Sequence, residues 1–264
     1  RRDNVQPENM FGADLYVDDF PAGLVDNLKL EYFIAKSGTP QGSWRAPAHT
    51  ANAFVVQSFL DEVAMELGED PLALQLRLLG APQQMEYGQH GGPIFDTGRM
   101  AGVLKLAAEK AGWGKTMPQG HAQGIAGHFT FGGYCAHVVD LELTGGGTFK
   151  VHKVTGAIDV GTVVNPAGVT AQMEGGINDG LSAALGQEVR IAGGQMINDN
   201  FDSYHMMRIA DAPPVIDVHI VESTADPAGM GEMSLPPLAP AVANAVARAG
   251  GTRMRSQPFM KYRT

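Results

Sequence analysis

The sequence predicts an α+β fold in which mixed sheets pack against amphipathic helices. Three observations lead there. Apolar residues recur at helical spacing near 49–67, 99–111, 166–185 and 237–248. Strand-like runs concentrate after residue 122, separated by glycine-rich turns. Over 264 residues, an apolar fraction of 44% against 18% charged is the balance of a chain that buries a sizeable core.

Taken in order, residues 1–22 have no clear period and read as an extended lead-in. Residues 28–36 begin with strand-like alternation and predict a strand. A Gly-Thr-Pro-Gln-Gly break precedes Trp44-Arg45-Ala46-Pro47-Ala48-His49, which opens a helix. Along that helix Val55, Val56, Phe59, Leu60, Val63, Ala64 and Leu67 form an apolar stripe, with Gln57, Ser58, Asp61, Glu62 and Glu66 opposite. Gly68 ends it, and Asp70-Pro71 starts a short second helix through an aspartate cap and a first-turn proline. Residues 81–98 read as a loop. Met100, Val103, Leu104, Ala107 and Ala111 make the next helical stripe, closed by Gly112.

A boundary near 115–121 divides an α-rich part, 1–115, from a β-rich part, 116–264. The second part begins with strands at 124–130, 134–143 and 148–161, the last two joined by a hairpin at 144–147. Asn165-Pro166 signals a helix start, and Val169, Met173, Gly176, Ile177, Gly180 and Leu181 follow at helical spacing. Glycines inside a helix cost about 1 kcal/mol each relative to alanine, so their presence implies close approach of backbone or ligand. Ile216, Val218 and Ile220 alternate with Asp217 and His219 as a half-exposed strand. Two glycines in Gly229-Met230-Gly231-Glu232 then permit a tight turn, and prolines mark the start of the last helix.

Several function classes fall away. A net charge of −9 without a basic cluster argues against nucleic acid as a partner. One cysteine, Cys135, leaves no set for a multi-cysteine zinc or iron–sulfur site. No Gly-x-Ser-x-Gly elbow supports a serine hydrolase. The eight histidines, His128, His137 and His152 among them, are scattered without close ligand spacing, so no metal-ligating side chain is expected. No uncharged apolar run reaches 18 residues, and Arg1-Arg2 is not followed by the apolar stretch of a signal sequence.

The Gly-Met-Gly-Glu turn with its prolines and Ala/Val helix resembles the molybdenum-binding large subunit of the xanthine dehydrogenase and aldehyde oxidase family. The nearer resemblance is to the isoquinoline 1-oxidoreductase beta subunit and membrane-bound aldehyde dehydrogenase branch. Residues 44–79 and 165–232 carry the same likeness together. The resemblance implies a molybdopterin-binding fold of the xanthine dehydrogenase type, present only as its C-terminal portion. It implies Glu232 as catalytic base, Gln172, Gly231 and Arg45 as cofactor-binding residues, and Trp44 and Pro47 at the substrate pocket. Gln172 matches the glutamine of a Gly-Gln-x-x-Gly motif whose first glycine is Ala171 here. Pro47 stands where xanthine-oxidising members have a stacking phenylalanine, which favours aldehydes over purines.

The implied activity is oxidation of an aldehyde to a carboxylic acid, or hydroxylation of an N-heteroaromatic ring, with water as oxygen donor. The implied cofactor is molybdenum–molybdopterin, free or as its cytosine dinucleotide, with iron–sulfur clusters only on a small partner subunit. The remainder of the molybdenum subunit is the other expected partner, on the cytoplasmic or periplasmic side of a bacterial membrane. The competing reading is a non-catalytic module that completes the fold of a partner subunit and leaves Glu232 unused.

Overall fold

A computed structural model describes residues 15–19, 21–31, 33, 35, 38–39, 42–85, 87 and 93–259. Its first helix, α1 (His49–Leu67), ends at Gly68, whose left-handed φ of 65° turns its N–H back onto Met65 O. Asp70 caps α2 (Pro71–Leu79) by accepting from Ala73 N–H at 3.0 Å. A two-residue ladder, β1 (Gln84–Met85) with β2 (Phe95–Asp96), crosses the stretch that reads as a loop. Asp96 then caps α3 (Thr97–Ala111), its Oδ1 accepting from Gly98 and Arg99 N–H at 2.8 and 3.0 Å.

Three long strands follow: β3 (His121–Thr130), β4 (Gly133–Gly145) and β5 (Thr148–Asp159), joined antiparallel in sequence order. The β4–β5 hairpin turns through Gly145, Gly146 and Gly147, all at positive φ. Helix α4 (Pro166–Gly186) is capped by Asn165 Oδ1 on Gly168 N–H at 3.1 Å. The small ladder β6 (Ile191–Ala192) with β7 (Gln195–Met196) leads to β8 (Val215–Ile220), which joins the sheet parallel to β5. The sheet order is therefore β3-β4-β5-β8, and α5 (Leu238–Arg248) closes the chain's regular structure.

Strand alternation sorts the core onto two faces. Tyr134, Ala136 and Val138 of β4 meet α3 residues such as Val103, Leu104 and Ala107. Val139 and Leu141, one register step away, meet Ala241, Val242 and Ala245 of α5 with Ile177 and Leu181 of α4. Helices thus cover both sides of one sheet, a mixed α/β architecture.

Two expectations need correction. Residues 28–31, 33 and 35, the described part of the strand expected at 28–36, form no strand, and Phe33 is 93% exposed. Among the described residues they pair with no strand, and alternation alone does not hold one. In α1 the expected stripe holds only in part: Val56 and Ala64 are buried, but Val55, Phe59 and Leu67 are exposed, and Gln57, Ser58 and Asp61 from the opposite side are buried. Hydrogen bonds account for the burial of Gln57 and Asp61. Gln57 Oε1 accepts from Gly127 N–H at 3.2 Å, Asn244 Nδ2 donates to Gln57 O at 3.4 Å, and Arg253 Nη2 pairs with Asp61 at 2.7 Å. Burial still pushes the Asp61 carboxyl above its ordinary value, against the pull of Arg253.

Candidate functional site

The loop that carries Glu232 is fixed from below by its neighbours. Met233, Ser234 and Leu235 are buried, so the backbone cannot lift without exposing them. Ala228 N–H donates to Val160 O at 2.8 Å and Thr162 N–H to Ala225 O at 2.9 Å, tying the approach to the end of β5. Gly161 makes this contact feasible: its φ is 72°, and a Cβ there would lie 2.1 Å from Asp226 O. Asp159 holds the same corner, accepting from Gly161 N–H at 3.0 Å and from Arg99 at 2.6 and 2.9 Å. Burial works to raise the Asp159 carboxyl, but the Arg99 and Gly161 hydrogen bonds outweigh it and hold it below its usual value.

A second anchor comes from β4. His137 is wholly buried and donates from Nε2 to Ser234 O at 2.6 Å. Burial pushes its pKa down to about 4 despite that hydrogen bond, so the ring is neutral at physiological pH. Ser234 Oγ in turn donates to Gln172 O at 3.2 Å, joining the loop to α4. Gly176 gives this junction its room, since a Cβ there would fall 1.8 Å from Ser234 Oγ.

The third wall is the segment before α1. Arg45 Nε donates to Gly231 O at 2.5 Å, its Nη2 to Gln172 O at 3.4 Å, and its Nη1 lies 3.5 Å from Asp179. One guanidinium therefore bridges the glutamate loop and α4. Next to it, Ala46 N–H donates to Glu232 Oε1 at 3.2 Å. That donor is aimed by unusual backbone: Ala46 and Ala48 have φ of 58° and 61°, and His49 N–H closes a γ-turn on Pro47 O at 2.8 Å. Such conformations cost on the order of 1–3 kcal/mol each and persist where surrounding contacts impose them.

Four of the sequence-derived residues thus converge. Arg45 contacts Gly231 and Gln172 across gaps of 186 and 127 positions, Glu232 follows Gly231 directly, and a Cβ on Gly231 would meet Gln172 Nε2 at 3.9 Å. Glu232 is half-buried, whereas Gln172, Gly175 and Gly231 are exposed, with open space at Gly175. Trp44 and Pro47 line a separate open cavity of about 760 Å³ with Ala46, Phe54 and Val55, and neither Arg45 nor Glu232 is on its wall. Sequence reasoning missed Ala46, His137, Asp179 and Ser234. No local pattern marks them, because each acts through a partner far away in the chain.

Comparison with known proteins gives the chain a class. Residues 90–213 match the family model of the molybdopterin cofactor-binding domain. The fold is similar to that of the aldehyde oxidoreductase from Desulfovibrio desulfuricans, with a TM-score of 0.66 at 13% identity over 84% of this chain and 41% of that one. In sequence, the chain is 36% identical over 212 residues to a membrane-bound aldehyde dehydrogenase (pyrroloquinoline-quinone) of Gluconacetobacter polyoxogenes, covering 77% of this chain and 27% of the relative. It is 34% identical over 210 residues to the isoquinoline 1-oxidoreductase subunit beta of Brevundimonas diminuta, covering 78% of this chain and 25% of the relative. The chain belongs with the molybdenum-binding subunits of the xanthine dehydrogenase and aldehyde oxidase family, and it spans about a quarter of the length of these two relatives. Among the described residues no helix is long and apolar enough to cross a membrane.

Proposed function

We propose that this chain supplies the proton-accepting side of a molybdenum hydroxylase site. The substrate is an aldehyde, oxidised to the carboxylic acid, or an N-heteroaromatic ring, hydroxylated with water as oxygen donor. The observation that carries the reading is the placement of Glu232. It is half-buried, held by Ala46 N–H at 3.2 Å, and set beside an exposed amide and an exposed glycine.

The residues present fit a pterin group. Gln172 offers an amide that donates and accepts at once, and the bare backbone at Gly175 and Gly231 leaves space for a flat edge to approach. When bound, the molybdenum centre supplies a two-electron oxidation in which water provides the oxygen. Gln172 and Gly231 would hold the cofactor edge, and Glu232 would take the proton released as the new C–O bond forms. Arg45 positions both elements through the carbonyls of Gly231 and Gln172. Trp44 and Pro47 line the adjoining cavity on the other side of Ala46, and would meet the substrate only if it enters through that cavity. Proline in place of a stacking aromatic supports an aldehyde over a purine.

The partners are those that the resemblance implies. The resemblance implies iron–sulfur clusters on a small partner subunit; this chain, with one cysteine, has no ligand set for them. Val55, Phe59 and Leu67 lie exposed along α1, an apolar stripe suited to contact with the remainder of the molybdenum subunit. The cofactor would be molybdenum–molybdopterin, free or as its cytosine dinucleotide.

Purification of the native complex containing this chain, with assay of molybdenum, pterin and quinone content, tests the reading. Stoichiometric molybdenum with aldehyde- or heterocycle-dependent dye reduction supports it. A complex that is folded, free of molybdenum and active through a quinone overturns it.

A further inference from the structure

Outside the glutamate site, three residues from distant parts of the chain point their polar atoms at one another. Asp19 ends a 3-10 turn at Val17–Asp19, His49 is the first residue of α1, and His128 lies near the end of β3. All three are buried. His49 Nδ1 is 2.8 Å from Asp19 Oδ1, His128 Nε2 is 3.1 Å from the same oxygen, and the two nitrogens are 3.2 Å apart.

We propose that Asp19, His49 and His128 bind a divalent first-row transition-metal ion of the zinc kind, clipping the lead-in segment and β3 to the start of α1. Bonds of about 2.0–2.2 Å to nitrogen and oxygen place adjacent ligand atoms roughly 2.8–3.1 Å apart at right angles to the metal, opening to about 3.3–3.6 Å at tetrahedral angles. The observed triangle of 2.8, 3.1 and 3.2 Å lies close to that span. Hydrogen bonding alone suits the arrangement less well. Each imidazole nitrogen has a single in-plane direction, and a proton on one faces the other nitrogen as well as the carboxylate. A central cation meets three lone pairs.

The surroundings have the features that hold a ligand set in place. Asn52 Nδ2 donates to Asp19 Oδ2 at 2.7 Å and fixes the carboxylate. Tyr16 stacks on the His49 ring at 4.5 Å, and Phe131 meets it edge-on at 4.6 Å. A cavity of about 70 Å³ lined by Asp19, Gln57 and His128 leaves room for a water as a further ligand. Two imidazoles and one carboxylate select zinc, iron or cobalt over magnesium or calcium.

The clip has a consequence for the neighbouring site. His49 directly follows Ala48, the residue of the γ-turn, and lies three positions after Ala46, whose N–H holds Glu232. Pinning His49 therefore helps impose the strained backbone that aims this donor. A second group, His121, Glu142 and His152, is half-exposed and looser, with His121 Nε2 3.8 Å from Glu142. It serves as an internal control.

The test is titration of the chelator-treated full subunit with Co²⁺, followed by Zn²⁺, with visible ligand-field absorption and bound-metal analysis. One Co²⁺ per chain with such bands, displaced by Zn²⁺, is expected. His128→Gln and Asp19→Asn should weaken binding by at least about a hundredfold while His152→Gln leaves it unchanged. The absence of stoichiometric binding by the folded parent protein overturns the proposal whatever the variants do. Binding that survives His128→Gln, or that is lost with His152→Gln, overturns it as well.

Discussion

Replacing Gly176 with alanine is a stringent probe of how the glutamate loop sits on α4. The new methyl would lie 1.8 Å from Ser234 Oγ, 3.1 Å from Ser234 Cβ and 3.3 Å from Arg45 Nη2. Ser234 cannot swing aside, because it is fully buried, its Oγ donates to Gln172 O and its carbonyl accepts from His137. In an unobstructed helix the change would gain about 1 kcal/mol from propensity. Overpacking costs about 1–3 kcal/mol, and an overlap this deep belongs at or above the upper end. A net loss of roughly 2 kcal/mol is expected for Gly176→Ala. Ser234→Ala alone removes one hydrogen bond and should cost about 1 kcal/mol. The double variant removes the clashing oxygen, so the two changes should couple favourably by roughly 1–2 kcal/mol. Urea unfolding of the subunit and its three variants measures all four corners of the cycle. Strict additivity, or a Gly176→Ala protein at least as stable as the parent, refutes the packing described.

Other perturbations have defined outcomes. Gly124→Ala drives a methyl to 2.2 Å from Ala241 O and 2.3 Å from Ala245 N, both backbone atoms of α5; a loss of about 3 kcal/mol or more in chemical denaturation is expected. His137, with its pKa lowered from 6.5 to about 4 by burial, takes up its proton in the unfolded chain before the folded one. Its contribution is therefore complete above pH 6.5 and is lost as pH falls toward 4, by roughly 3 kcal/mol in all. Unfolding free energies across that range should fall less steeply in His137→Gln. Ala48→Gly relieves a φ of 61° and should raise stability by about 1 kcal/mol, read as a higher midpoint in thermal unfolding.

The helices and the sheet were legible because their signals are local. Asn165-Pro166, Asp70-Pro71 and the glycines at 145–147 each define an end or a turn by their own chemistry, and the structure places elements there. Asp96 as the cap of α3 was equally readable but lies inside a stretch dominated by glycine and proline. The α1 face was misread for a different reason. Periodicity reports which side is apolar, but Gln57 and Asp61 are buried through bonds to partners 70 and 192 positions away. The convergence of Glu232, Gln172, Gly231 and Arg45 follows from family motifs and not from spacing. The donor that fixes Glu232 is a backbone N–H on an alanine, which no residue type can announce. The Asp19, His49 and His128 cluster escaped for the same reason as His137: scatter along the chain says nothing about distance in the fold.

The proton-accepting role of Glu232 is most directly tested by Glu232→Gln in the complete, molybdenum-loaded complex. The amide keeps an oxygen for Ala46 N–H, so the loop geometry is preserved while the basic oxygen is removed. Loss of a general base typically lowers the rate by 10²- to 10⁴-fold, or roughly 3–5 kcal/mol of barrier. At saturating aldehyde and equal molybdenum content, kcat should fall by at least about a hundredfold with folding unchanged. A variant within about tenfold of the parent kcat under those conditions would show that Glu232 does not take the proton.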